Sequence, residues 1–225
     1  MEELERKIGY KFRDGSLLKS ALAHSSYANE NRGAGVVSNE RLEFLGDSVL
    51  GFVTAEFLYR SFPDMPEGGM TKLRAELVCE QSLHRVAQEL ELGKYIRLGK
   101  GEEHTGGRTR PSILADAVEA VIAAIYLDGG MGEARAFISR RILADAGDAQ
   151  KKRVSDYKTA LQELIQQHSG QMLSYEMIAE SGPDHRKVFT AQVSLNGVSV
   201  GVGDGHTKKE AEQAAAKKAL EELCP

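Results

Sequence analysis

Apolar residues recur at three- and four-residue spacings over residues 40–145, as in Leu42, Leu45, Val49 and Val53. This periodicity is typical of amphipathic helices. The sequence therefore predicts that the first part of the chain is α-helical.

The pattern changes after about residue 150. A helical stretch, three short β-favouring runs with Gly-Pro and Asn-Gly turn signals, and an alanine-rich helix follow one another at 157–167, 175–179, 188–195, 198–203 and 208–223. This order predicts a small α+β domain with the topology α-β-β-β-α.

The run GDAQKKRVSD at 147–156 is polar and contains few large apolar residues, as expected of a connection between two separately packed units. We therefore predict a helical domain at 1–147, a linker at 148–154 and the α+β domain at 155–225.

Composition and charge are those of a folded protein and exclude one mode of nucleic-acid binding. The chain has 225 residues, 41% hydrophobic and 28% charged, which is typical of a folded soluble protein. Its 29 basic and 33 acidic residues exclude a histone-like or polybasic mode of nucleic-acid binding. The first 150 residues hold 19 basic and 23 acidic residues, so the whole deficit lies in the helical domain.

The sequence predicts no membrane-spanning helix, no zinc site and no disulfide bond. The N-terminus is charged, and no run approaches the roughly 20 apolar residues that a membrane helix needs. Cys79 and Cys224 lie far apart without a metal-binding spacing. We expect a cytoplasmic protein with no membrane partner.

Two predicted helices carry acidic residues at helical spacing. Glu40, Glu43 and Asp47 share one helix face, and like charges stacked in this way repel. Asp116 and Glu119 share a face of an otherwise apolar helix, where unpaired carboxylates are costly to bury.

Packing the two helices together would join Glu43, Asp47, Asp116 and Glu119 in a site made only of oxygen ligands. Such ligands suit Mg²⁺, with Mn²⁺ as a substitute. The alternative is that each acidic group is only a solvated helix face, and this alternative has more weight for the first helix than for the apolar second helix. His24, His84, His104 and His168 have no partners at ligand spacing, so we expect packing or surface roles for them.

The second domain contains groups suited to duplex RNA. Glycines precede Thr207, Lys208 and Lys209 at the start of a helix, where backbone amides also favour phosphate. The loop between two β-runs could project His185 into a shallow groove, while Gln162 and Glu163 on the first helix carry groups able to bond 2′-hydroxyls. The alternative is that the lysines only solubilise an alanine-rich helix.

Four segments of the chain resemble the bacterial ribonuclease III family. NERLEFLGDS resembles its signature stretch and SILADAVEAVIAAIYLDGG its second catalytic helix, while GPDHRKVFTAQV and GVGDGHTKKEAEQAAAKKAL resemble its double-stranded RNA-binding domain. The resemblance covers nearly the whole chain in the order of the family.

This resemblance implies a homodimeric endonuclease that cleaves double-stranded RNA with Mg²⁺ and no small-molecule cofactor. Glu43, Asp47, Asp116 and Glu119 match the metal-binding carboxylates, with Asp47 and Glu119 as the catalytic pair, and Glu40 and Glu67 match outer acidic positions. The implied products carry 5′-phosphate and 3′-hydroxyl ends with short 3′ overhangs, and the implied targets are ribosomal RNA precursors and structured messages.

Two other functional classes remain open from the residues alone. A non-catalytic regulator that binds duplex RNA would be expected to lack some of the carboxylates, and none is missing. A metal-dependent phosphohydrolase of small substrates would leave the second domain without a purpose.

Overall fold

The computed structural model describes residues 1–144, 146–147, 156–166, 170–183 and 186–223. The chain divides into two compact units, Met1–Ala146 and Gly147–Pro225. The predicted linker at 148–154 lies outside the described residues.

The first unit is helical, as predicted. Its α-helices are α1 (Glu2–Ile8), α2 (Gly15–Ala21), α3 (Ser25–Glu30), α4 (Glu40–Ser61), α5 (Glu67–Leu77), α6 (Glu80–Glu89), α7 (Lys100–His104), α8 (Pro111–Gly129) and α9 (Met131–Arg141). Short 3₁₀ turns lie at Arg32–Ala34, Leu92–Lys94 and Gly107–Thr109. No helix in the described ranges is long and apolar enough to cross a membrane.

Helix α8 is the centre of this unit. Pro111 occupies its first turn, where the missing N–H leaves no hydrogen bond unmade. Eleven of its 19 residues are buried, which is typical of a helix that is apolar on all sides. It packs against α2, α4, α6 and α9, and Asp116 and Glu119 are among its residues that keep some exposure to solvent.

Helices α4 and α8 come into close contact at Gly46. A Cβ atom on this residue would lie 1.9 Å from the backbone carbonyl oxygen of Glu119, so the contact needs a residue without a side chain. The close approach brings the acidic first half of α4 against the acidic turn of α8.

The second unit has the predicted α-β-β-β-α order. It contains α10 (Tyr157–Gln166), β1 (Leu173–Ser181), β2 (Val188–Leu195), β3 (Val198–Gly205) and α11 (Lys208–Leu223). The three strands form one antiparallel sheet in the order β1-β2-β3. Strand β1 extends beyond the predicted 175–179 because its additional residues also pair with β2, for example Leu173 with Leu195 and Ser181 with Val188.

One face of this sheet packs against the helices. Leu161 of α10, Val193 of β2 and the alanines Ala211 and Ala215 of α11 are fully buried in a common core. The β2–β3 turn places Asn196 and Gly197 at φ values of 51° and 83°, the positive values that a tight hairpin turn needs.

Candidate functional site

Three acidic side chains from two helices meet in the first unit. Glu43 of α4 and Asp116 and Glu119 of α8 each offer a carboxylate oxygen, and these oxygens all lie within 4.8 Å of one another. All three side chains are partly buried. We call this group the acidic cluster.

Burial and nearby negative charges raise the pKa values of the carboxylates in the acidic cluster. Burial, followed by the charges of Asp47, Asp116 and Glu43, raises the pKa of Glu119 to about 7. The pKa of Glu43 is raised by burial and then by Asp116, Glu40 and Asp47. The three groups therefore carry more negative charge than their surroundings compensate.

The other acidic residues predicted for the site lie outside the acidic cluster. Asp47 is exposed on α4 and does not belong to the 4.8 Å group within the described residues, although its charge raises the pKa values of Glu43 and Glu119. Glu40 is exposed in the first turn of α4 and accepts a hydrogen bond from Ser38 Oγ at 2.7 Å. Glu67 begins α5 and accepts a hydrogen bond from Thr71 Oγ1 at 2.8 Å.

Two residues near Asp116 were not predicted as part of the site. Burial raises the pKa of Asp116, while the charge of His24 lowers it and the charge of Glu80 raises it. His24 precedes α3 and Glu80 begins α6, so neither shares a helix with the carboxylate. The sequence contains no spacing that connects His24 to α8, so its charge influence on Asp116 could not be predicted from the periodicity.

The start of α11 is the candidate nucleic-acid interface of the second unit. Thr207 Oγ1 accepts a hydrogen bond from the backbone N–H of Glu210 at 3.1 Å, and the Glu210 carboxylate accepts one from the backbone N–H of His206 at 2.9 Å. This reciprocal capping fixes the start of the helix. Lys208 and Lys209 follow immediately and are exposed.

The remaining residues predicted to bind RNA are only partly described. Gln162 is exposed on α10. Glu163 falls within the same helix, but its side chain lies outside the described part of the chain, as does the whole of His185.

Comparison with known proteins shows the family. Residues 14–146 match the family model described as Ribonuclease-III-like, and residues 157–223 match the model of the double-stranded RNA binding motif. The chain belongs to the ribonuclease III family.

Relatives match over nearly the full length of the chain. It is 54% identical over 218 residues to Ribonuclease 3 of Pelotomaculum thermopropionicum, covering 96% of this chain and 90% of that protein. Ribonuclease 3 of Oceanobacillus iheyensis is 50% identical over 220 residues, covering 98% and 96%. A solved nuclease domain of ribonuclease III from Campylobacter jejuni, described with a region involved in dimer formation, matches with a TM-score of 0.59 and 44% identity over 63% of this chain and 94% of that chain.

Proposed function

We propose that this protein is a Mg²⁺-dependent endoribonuclease that hydrolyses phosphodiester bonds in double-stranded RNA. The proposed products carry 5′-phosphate and 3′-hydroxyl ends with short 3′ overhangs. The observation that carries the proposal is the acidic cluster of Glu43, Asp116 and Glu119, in a chain that also contains a double-stranded RNA binding motif.

The donor set of the acidic cluster fits a hard divalent cation. It consists of carboxylate oxygens, the ligands that Mg²⁺ prefers and Mn²⁺ also accepts. Glu43, Asp116 and Glu119 would hold the ion, and Asp47 would complete the set from the exposed side. When bound, Mg²⁺ supplies charge neutralisation at the phosphate and a lowered pKa of a bound water molecule.

The residues themselves set the charge of the site. The pKa of Glu119, raised to about 7, leaves its carboxyl partly protonated near neutral pH, and a bound cation would favour the ionised form.

The second unit would supply the contacts to duplex RNA. We assign phosphate contacts to Thr207, Lys208 and Lys209 at the start of α11, and contacts to 2′-hydroxyls to Gln162, Glu163 and His185. Such contacts recognise the A-form shape of RNA with little sequence preference.

A homodimer is the proposed assembly. Phe44, Phe52 and Tyr59 of α4 are 77%, 56% and 72% exposed, and on an ideal helix they lie within an arc of about 80°. Phe52 and Tyr59 also line a groove between α4 and α5 together with Glu67. Exposed apolar side chains grouped in this way are typical of a surface that binds another protein.

Replacement of Glu119 tests the nuclease assignment. Glu119→Gln removes one charge of the acidic cluster with little change in shape, so we expect at least a 100-fold loss of cleavage of a labelled RNA duplex in Mg²⁺, with duplex binding unchanged in EDTA. The matched control is Glu133→Gln, on the exposed surface of α9, which should cleave normally. Normal turnover by the Glu119 variant would contradict the assignment.

Replacement of the lysines tests the RNA interface separately. The double variant Lys208→Gln, Lys209→Gln loses two phosphate contacts, so duplex affinity measured in EDTA should fall. The slope of the logarithm of the binding constant against the logarithm of the salt concentration should become less steep by about one for each lysine. The control pair Lys217→Gln, Lys218→Gln lies at the other end of the same helix. Equal losses in both double variants would show that only overall charge matters.

A further inference from the structure

A side-chain hydrogen bond joins the loop between β1 and β2 to the start of α11. Nδ1 of His206, the second residue before α11, lies 3.3 Å from the backbone carbonyl oxygen of Lys187. A carbonyl oxygen can only accept a hydrogen bond, so Nδ1 carries a proton and donates it. In the neutral ring, Nε2 then carries no proton and can only accept a hydrogen bond.

This bond lies just beyond the paired strands. The pairing of β2 with β1 ends at Val188, and Lys187 is the residue before it. The pairing of β3 with β2 ends at Gly205, and His206 is the residue after it. The bond from His206 therefore extends the contact between the loop and the start of α11 past the edge of the ladder.

His206 belongs to a part of the second unit that is closely packed. Its backbone N–H donates to the Glu210 carboxylate at 2.9 Å, which ties it to the first turn of α11. Helix α11 in turn lies directly on β3, since a Cβ atom at Gly203 would come within 2.2 Å of the backbone nitrogen of Ala215. The imidazole thus extends from a helix start whose position on the sheet is fixed.

The described residues of the loop are also connected to one another. The backbone N–H of Arg186 donates to the carbonyl of Pro183 at 2.8 Å. The side chain of Lys187 forms an ion pair with Glu180 near the end of β1. These contacts give the end of the loop a defined conformation, and the bond from His206 places that end against α11.

Both segments that His206 joins carry positive charge. Arg186 is exposed at the end of the loop, and Lys208 and Lys209 are exposed at the start of α11. Both segments fall within residues 157–223, which match the double-stranded RNA binding motif. Duplex RNA is recognised mostly by its shape, through contacts to phosphates and 2′-hydroxyls at separate places, so the spacing of the two segments affects how well both fit one duplex.

We propose that His206 is a positioning residue for duplex RNA: its Nδ1–H donates to the carbonyl of Lys187 and holds the end of the β1–β2 loop at a fixed spacing from the start of α11. This inference rests on the proposed function, in which the loop and the start of α11 both contact RNA. Segments that are already held in the binding geometry lose less conformational freedom when RNA binds, so the bond contributes to affinity.

Two substitutions of similar shape separate this hydrogen bond from the charge and the ring of the histidine. In His206→Asn the amide nitrogen takes approximately the place of Nδ1 and can donate to the carbonyl of Lys187, whereas in His206→Leu a methyl group takes that place. Neither new side chain is charged, so a difference between the two variants cannot come from a charge contact with phosphate. His206 is exposed, so neither substitution removes a side chain from the core.

The experiment measures the affinity of the full-length protein for a labelled RNA duplex in EDTA. We expect His206→Leu to bind about 3- to 10-fold more weakly than the wild type, as the loss of one hydrogen bond implies, and His206→Asn to recover most of the affinity. In cleavage assays with Mg²⁺, the RNA concentration for half-maximal rate should rise in His206→Leu by the same factor, while the rate at saturating RNA should not change. Thermal unfolding checks that each variant is folded at the assay temperature.

The matched control is Ser199→Leu, which places the same exposed apolar side chain near the opposite end of β3. It should bind the duplex as the wild type does. Wild-type affinity in His206→Leu would overturn the role of His206, and so would equal losses in His206→Leu and His206→Asn, because the bond to Lys187 would then not be the cause. If the wild type itself fails to bind or cleave the duplex, the proposed function fails, and the role of His206 fails with it.

Discussion

Glu119 is the carboxylate on which burial and neighbouring charges act most strongly. Its pKa near 7, against 4.5 for an ordinary glutamate, means that the folded chain keeps a proton there over a pH range in which the unfolded chain has released it. Stability from this group is therefore present below about pH 4.5 and is lost as the pH rises to 7. A residue that we propose to bind a cation thus weakens the fold when no cation is present.

Removing the charge of Glu119 should stabilise the metal-free protein. The raised pKa corresponds to about 1–3 kcal/mol, so in EDTA at pH 8 we expect Glu119→Gln to unfold at higher urea concentration than the wild type. At pH 4.5 the difference should nearly vanish, because the wild-type carboxyl is then protonated in the folded state. An equal gain at both pH values would show that the effect is not electrostatic, and Glu133→Gln serves as the control.

At the scale of elements, the contact between α4 and α8 decides whether the acidic cluster forms. Gly46→Ala places a methyl group against the backbone of Glu119, and relieving this clash requires the helices to separate. We expect a loss of about 1–3 kcal/mol or more in the free energy of unfolding, together with weaker cleavage.

Gly51→Ala is the matched control for this substitution. Gly51 lies on the same helix with nothing within 4 Å of its Cβ position, so alanine should stabilise α4 by about 0.5–1 kcal/mol. Urea unfolding of both variants tests the argument. Equal changes in the free energy of unfolding for Gly46→Ala and Gly51→Ala would contradict this prediction.

The contact between α4 and α8 also shows which features of the acidic cluster can be predicted from the sequence. Helical spacing predicted that Glu43 shares a face with its acidic neighbours on α4, and that Asp116 and Glu119 share one on α8. It could not predict that Asp47 lies beside the 4.8 Å group while Glu43 lies within it, since this depends on how closely Gly46 lets α8 approach.

Residues brought to the site by other elements leave no periodic signal. His24, which precedes α3, acts on the pKa of Asp116 through its charge although the two residues lie far apart in the chain. Glu80 reaches it from the start of α6. In the second unit the order of elements followed from turn signals and alternation, whereas the ends of β1 depended on pairing with β2.

At the scale of the whole molecule, the net charge of −4 does not exclude a nucleic-acid substrate once the charge of each domain is considered separately. The acidic surplus falls in the helical domain, where Glu43, Asp116 and Glu119 form the acidic cluster. An acidic protein is thus compatible with a nucleic-acid substrate when a divalent cation offsets the charge at the site and a few lysines, such as Lys208 and Lys209, supply phosphate contacts elsewhere.

Assembly should depend on the exposed aromatic residues of α4. A duplex has two strands, and a homodimer with one acidic cluster per subunit can cut both in one encounter. Phe52→Arg puts a charge in the middle of the apolar surface, so we expect light scattering to give twice the mass of one chain for the wild type and the mass of a single chain for the variant. Leu127→Arg, on an exposed apolar residue of α8, should remain dimeric.

The cleavage pattern of the same variants connects assembly to activity. If dimerisation places two clusters on one duplex, Phe52→Arg should release mainly nicked duplexes, at a rate that rises with protein concentration, whereas Leu127→Arg should release fragments cut on both strands. Native gels resolve nicked from fully cut duplexes, and denaturing gels count the strands cut. A monomeric wild type would contradict the homodimer. A dimeric Phe52→Arg with an unchanged cleavage pattern would show that α4 is not in the interface, because burying an arginine without a partner there would destabilise the dimer.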